Sequence, residues 1–339
     1  MEMHRTGRTV AFSGGVSVLS WGSIGGKLEG QGPLGSYFDE IETDSFCAQA
    51  SWEKAESIFQ QRAMGHALER GGMQAEDLDL VLAGDLLNQC AASNFALRNQ
   101  PFSVGGLYAA CATMGEGLSL AAMLLQGGAA HTAAVMTSSH YCTAERQYRM
   151  PLPYGSQRCP TAQWTATASG CCVLGRSGDG PYLTHATMGR IVDMGVNDEC
   201  NMGGAMAPAA IDTLETLFRD TRTAPQDYDL IVTGDLGAVG HDLVVELFRR
   251  EGVELARYTD CGLLLYDREA QDMHAGGSGC GCSAAVLNGF LLGGLRQKRW
   301  KRILFAPTGA LLSPTSSFQG ESIPGICHAV VLAADKEDA

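Results

Sequence analysis

The chain has 339 residues, enough for one large or two medium domains, and its 45% hydrophobic and 18% charged content describes a folded protein, not a disordered one. With 24 basic against 37 acidic side chains, the formal charge of −13 argues against a nonspecific nucleic-acid partner and against a simple electrostatic hold on anionic lipid. No window reaches the roughly 18 uninterrupted apolar residues of a membrane span, and "MEMHRTGRTVAF" lacks the apolar stretch of a secretory signal, so a soluble intracellular chain is expected.

In chain order, the first informative segment is "QAEDLDLVLAGDLL" (74–87), which reads as a polar turn, a buried strand and Gly-Asp at the strand's carboxyl end. Next comes "GGLYAACATMGEGLSLAAMLLQGG" (105–128). Met114, Leu118, Ala121 or Ala122 and Leu125 recur at helical spacing, and Gly127 and Gly128 supply the stop. Cys111 is placed at the start of that helix, where unsatisfied N–H groups would favour a thiolate. Taken alone, a small buried inert cysteine is the better reading. The strand "AAVMT" follows, ending at Thr137.

The plan then repeats. "APQDYDLIVTGDLG" (224–237) matches the first segment with Asp229, Gly234 and Asp235 paired to Asp79, Gly84 and Asp85 at an offset of 150 (229 − 79). Cys282 opens a helix, "SAAVLNGFLLGGL", leading to "ILFAPT" ending at Thr308, at an offset of 171 (282 − 111). Two copies of one strand–helix–strand plan imply a layered α/β protein with a pseudo-twofold axis, divided near residues 1–180 and 181–339. Ligands in such folds collect beyond the carboxyl ends of strands, which gathers Asp85, Asp235, Thr137, Thr308, Cys111 and Cys282. The basic run "RQKRWKR" (296–302) is read as capping a helix end. The twelve cysteines contain no paired CxxC of a zinc site, and reduced thiols in packing positions are expected.

Duplicated halves, a cysteine at a helix start and the glycine-rich "HAGGSGCGCSAA" (274–285) resemble the thiolase superfamily. "AACATMGEGL" is similar to the nucleophile segment of β-ketoacyl synthase III, and "TATASGCCVLG" sits where those enzymes have a Gly- and Ala-rich strand opening. A closer resemblance, from about Gly30 to Val331, is to the stage V sporulation protein AD family, carried by "GPLGSYFDE", "LAGDLLNQ", "TSSHYCTAERQYRMPLPYG", "MGGAMAPAAIDT", "YDLIVTGDLGAVG", "DCGLLLYD", "AGGSGCGCSA" and "APTGALLSPT". It implies a five-layer α/β/α/β/α thiolase-like fold, a homodimer and no cofactor. It also implies binding of dipicolinic acid, alone or as its calcium chelate, for uptake into the developing spore beside membrane components of a channel. The place implied is the spore or forespore, peripheral to the inner spore membrane.

The rival reading is an acyltransferase with Cys111 as acyl acceptor, and a weaker third is a scaffold with an empty cleft. Condensing relatives place a His-Gln-Ala-Asn motif after a second-half strand and an Asn in a later glycine-rich loop. Here Gly234-Asp235 and Gly281 stand there. Ionised aspartate only accepts hydrogen bonds and would repel an enolate. His241 lies six residues on, His274 reads as a strand-edge residue, and His140 is the histidine best placed for the cleft.

A pyridine dicarboxylate asks for helix-start amides, guanidinium forks, hydroxyls and acids for calcium. The expected ligand-binding set is Asp85, Asn88, Cys111, Thr113, Ser139, His140, Arg146, Arg149, Asp235, Ser278, Gly279, Cys282 and Thr308, with no metal ligands assigned. Capping or surface pairing is the competing role for Asp85, Asn88, Thr113, Ser139, Ser278 and the two arginines. The loop at 276–281 is expected at the cleft mouth, outside the packed layers, with at least one glycine in a conformation closed to other residues.

Overall fold

A computed structural model describes residues 3–148 and 158–338. The first half comprises β1 (Met3–Thr6), β2 (Thr9–Gly26), α1 (Lys27–Gln31), β3 (Glu40–Glu42), α2 (Trp52–Gly71), β4 (Leu80–Gly84), α3 (Ala91–Ala96), β5 (Ser103–Gly106), α4 (Thr113–Gln126), β6 (Thr132–Ser139), α5 (Tyr141–Tyr148), β7 (Trp164–Thr165) and β8 (Ala168–Gly175). The second comprises β9 (Tyr182–Thr187), α6 (Met202–Thr221), β10 (Leu230–Thr233), α7 (Gly237–Arg250), β11 (Tyr258–Asp260), α8 (Cys261–Leu265), β12 (Gly277–Ser278), α9 (Cys280–Val286), α10 (Leu292–Arg296), β13 (Arg302–Ala306), β14 (Thr308–Ala310), α11 (Pro314–Phe318), β15 (Gly325–Cys327) and β16 (Ala329–Ala333).

The strands run in the order β11-β10-β13-β16-β9-β2-β8-β6-β4-β5. From the β2/β9 seam outward, each half repeats one sequence of partners: two antiparallel pairings, then two parallel ones. The repeat read from the sequence is thus a structural one, and α2 and α6 share its offset of 150 (202 − 52). Both helices are fixed at their ends by the same devices. Ser51 and Asn201 side chains accept from the N–H groups of Lys54 and Gly204, and Gly72 and Arg222 take left-handed conformations at the far ends.

β2 holds the halves together. Its residues from Thr9 to Ser17 pair with β9, and from Ser17 to Gly25 with β8. The register breaks between Ala11 and Val16, where Gly14 and Gly15 have φ of 77° and 70°. Such a bulge re-aims a strand so that it serves two partners. α2 packs outside the first half of the sheet and α6 outside the second, while α4 and α9 lie between and touch strands of both halves. The layers are those of the five-layer α/β/α/β/α thiolase-like fold. One core cluster draws residues from both halves, including Leu118, Leu125, Val286 and Leu291. No helix of the described residues is long and apolar enough to cross a membrane.

Three boundaries differ from those read in the sequence. The helix after Cys111 begins at Thr113, so Cys111 precedes it. α9 begins at Cys280, two residues before Cys282, because Gly279 at φ 101° turns the chain into the helix early. Thr308 is outside β13, since Pro307 interrupts the ladder and starts the chain afresh as β14.

Candidate functional site

The site begins with a strained turn. Ala110 adopts φ 48°, a left-handed conformation that costs a non-glycine residue of order 1–3 kcal/mol unless its surroundings over-determine it. Thr113 supplies that restraint: its hydroxyl donates to the Ala110 carbonyl at 2.6 Å and accepts from the Ala109 N–H at 3.1 Å. The turn presents Cys111, 8% exposed, to a cavity of about 140 Å3.

Opposite, Asp235 emerges past the end of β10. One carboxylate oxygen accepts from the Ser278 hydroxyl and the Gly279 N–H, both at 3.0 Å, and the other from Thr308 at 2.9 Å. The Cys111 thiol lies beside this carboxylate and feels its charge. Burial pushes the Asp235 carboxyl up to about 6, against the neighbouring Cys111 thiol and the hydrogen bonds from Gly279 and Thr308. Burial, then the negative charge of Asp235, push the Cys111 thiol well above its ordinary range. The helix-start stabilisation of a thiolate expected from the sequence is therefore overruled, and Cys111 is a thiol at neutral pH.

The remaining wall is aromatic and aliphatic. Tyr108, Tyr148, Leu86, Met202, Met206 and Leu312 line it, with Ser278, Thr165, Glu145 and Glu199 as polar members. Tyr148 donates to the Leu86 carbonyl at 2.9 Å, and its hydroxyl lies 3.1 Å from that of Tyr108. The sequence reading missed both tyrosines. The signal was present: Ala144, Glu145 and Tyr148 share one face of α5 at helical spacing and all line the cavity.

Of the expected ligand-binding residues, the structure brings together Cys111, Asp235, Ser278, Gly279 and Thr308. The others go elsewhere. Asp85 is turned back on its own loop, accepting from Leu87 N–H at 2.9 Å, Ser93 N–H at 2.8 Å and Ser93 hydroxyl at 2.7 Å. Asn88 is exposed and pairs with the Gln147 amide at 3.3 Å. Thr113 is consumed by its own turn, and Ser139 by the Ala166 carbonyl and the Gly281 N–H.

His140 does not face Cys111. Its ring lies against a separate cavity of about 160 Å3, its Nε2–H donates to the Ser45 carbonyl at 2.8 Å, and burial brings its pKa down to about 4. It is neutral and structural. Arg146 forms an ion pair with Glu53 and lies over the Trp52 ring at 5.5 Å, off the lining face of α5. Cys282 is buried inside α9, its sulfur directed at the Gly234 carbonyl at 3.9 Å; the cysteine clustered with Cys111 is Cys280. Arg149 lies outside the described residues.

The glycine loop is also placed differently. Gly276 and Gly279 take φ of 108° and 101°, as the sequence implies, but residues 275–281 are buried and not at an exposed mouth. His241 stacks on Tyr258 at 4.7 Å, and His274 donates to the Cys159 carbonyl at 2.7 Å, so neither reaches the cavity. Among the described residues no three His, Cys, Asp or Glu converge as a metal set. Since Arg146 is spent on a half-exposed surface pair, Arg146→Ala is expected to cost under about 1 kcal/mol in stability and to leave the cavity unaltered; thermal melts check it.

A family model described as "Stage V sporulation protein AD (SpoVAD)" matches residues 6–333. The chain is 42% identical over 331 residues to stage V sporulation protein AD of Bacillus subtilis (strain 168), covering 97% of this chain and 98% of that protein. The chain belongs to the stage V sporulation protein AD family. The fold of this family member is shared with condensing enzymes. A crystal structure of 3-oxoacyl-[acyl-carrier-protein] synthase III from Aquifex aeolicus VF5 matches with a TM-score of 0.58 at 14% identity, over 94% of this chain and all of that one. A cerulenin-bound OleA from Xanthomonas campestris matches with a TM-score of 0.62 at 16% identity, over 94% of this chain and 96% of that one. At such identities the likeness is one of fold. In this chain the group beside Cys111 is a carboxylate, that of Asp235, which as an ion can only accept hydrogen bonds.

Proposed function

We propose that this sporulation protein is a noncatalytic binder of dipicolinic acid, held in the cavity beside Cys111. The reading extends to support of dipicolinate uptake into the developing spore, with the chain as a homodimer peripheral to the inner spore membrane and associated with membrane components of a channel. Family membership and the resemblance of the sequence carry the ligand. The observation that carries noncatalytic binding is Asp235, buried against Cys111 and holding it as a thiol.

The character of the wall favours the calcium chelate over the bare dianion. Among the described residues the cavity lining presents Glu145 and Glu199, with Asp235 behind Cys111 and no arginine or lysine. A dicarboxylate entering alone meets like charge, whereas its calcium chelate is neutral and offers a planar ring to Tyr108 and Tyr148. The alternative, a β-ketoacyl synthase III-like acyltransferase, is favoured by the fold and by the position of Cys111 on the cavity wall.

Calorimetric titration with dipicolinate, with and without calcium, separates these readings when paired with acyl-CoA labelling of Cys111. We expect binding that strengthens with calcium and no acyl adduct. Cys111→Ala is expected to leave affinity within about threefold, since a protonated thiol contributes at most a weak hydrogen bond. Acylation of Cys111 with turnover, or no heat with either form of the ligand, overturns the proposal.

A further inference from the structure

Cys159 approaches Cys200, a residue of the cavity lining. Cys200 is exposed; Cys159 is partly exposed, and its sulfur lies 3.7 Å from the Cys200 carbonyl oxygen. Both backbones are pinned. The Cys159 carbonyl accepts from His274 at 2.7 Å, and the preceding Arg158 is held by Asp272 at 3.0 Å and lies over Trp164. The Cys200 N–H donates to Asp198 at 3.0 Å, and Asn201 caps α6. Both residues are thiols in this structure.

We infer that Cys159 and Cys200 are a modification site that forms a reversible disulfide by exchange with a low-molecular-weight disulfide, tying the segment before β7 to the loop before α6. With the Cys159 sulfur 3.7 Å from the Cys200 carbonyl oxygen, the two side chains are neighbours, and the bond requires their rotation to bring the sulfurs to the roughly 2 Å of an S–S bond. Cys159 is suited to react first. Burial raises its pKa, but hydrogen bonds from Thr161, Cys200 and the Thr161 and Ala162 amides bring it below the ordinary thiol value. Burial drives the other way at Cys47, Cys90, Cys111, Cys142, Cys171, Cys172, Cys261, Cys280, Cys282 and Cys327.

The Cys159 thiolate attacks one sulfur of the external disulfide, forming a mixed disulfide and expelling one thiolate. Cys200 loses its proton to solvent and attacks the Cys159 sulfur, expelling the second. Two electrons pass to the external disulfide, which leaves as two thiols. Exposed bridges of this kind are the labile ones, so a thiol reductant reverses the step.

The experiment incubates the whole chain with oxidised glutathione and maps unreduced peptides by mass spectrometry. The expected result is a Cys159–Cys200 linked peptide, a chain lighter by two hydrogens, and reversal by dithiothreitol. Cys200→Ser should stop at a glutathione adduct on Cys159, and Cys159→Ser should slow modification at Cys200 at least tenfold, with circular dichroism confirming that each variant is folded. A wild-type chain that keeps glutathione on either cysteine, links either to a different cysteine, or does not react at Cys159 faster than at the partly exposed Cys142 overturns the inference.

Discussion

Asp235→Asn is expected to speed alkylation of Cys111 by iodoacetamide at least about tenfold at pH 7.5, because each pKa unit removed from a protonated thiol gives ten times more thiolate. The Asn carbonyl can keep the bonds from Ser278 and Gly279, while its amide meets the Thr308 hydroxyl, which can turn to accept. The cost in stability should then be about 1 kcal/mol. The effect has a pH signature. Asp235 titrates at about 6, raised above its value in an unfolded chain, so its neutral form stabilises the native state at low pH and that contribution is lost as pH rises through 6. Below pH 6 the wild-type carboxyl is itself neutral, and the rate ratio of variant to wild type should fall toward one. Peptide mapping isolates Cys111 from the more accessible thiols. A ratio near one at pH 7.5 would show that burial alone, and not the Asp235 charge, silences the cysteine.

Gly279→Val should destabilise the fold by about 3–5 kcal/mol, combining a β-branched side chain in a left-handed conformation with overpacking. Gly279 sits at φ 101°, and a Cβ there would lie 2.5 Å from the Ser139 hydroxyl oxygen. That hydroxyl is committed to Ala166 and Gly281, so it has little freedom to retreat. The melting temperature should fall by several degrees, and any loss of the proposed dipicolinate binding would accompany that fall. A variant that melts with the wild type would overturn this account of the loop. Ser278→Ala is the gentler probe, removing one donor to Asp235 at the cavity wall.

The fold was largely legible because the chain states it twice, with landmarks at fixed offsets that a single pass can pair. The site was legible only in part, because its symmetry is broken by interactions no spacing reveals. In the first half, Asp85 bonds the N–H groups of its own loop. In the second, that task falls to Asp260, which accepts from Leu236, Gly237 and Gly262 at 2.9–3.0 Å. Relieved of capping, Asp235 turns toward Cys111. Two aspartates equivalent in sequence thus part company because a third carboxylate, 25 residues on from Asp235, does the work of one of them. His140 illustrates the opposite error: it follows the right strand, but its ring turns to a separate cavity, where its Nε2–H donates to the Ser45 carbonyl.

The long strand β2 constrains how any guest can come and go. A protein whose lobes are joined by a hinge admits ligands by gaping, but here parting the lobes would tear the ladder between Thr9–Ser17 and β9 and split a shared interior. Each backbone bond in that ladder is worth on the order of 1 kcal/mol, and the hydrophobic cost adds to the sum. Ligand traffic is therefore expected to use motions of the lip, where side chains and loops rearrange in nanoseconds to microseconds, in preference to parting of the lobes.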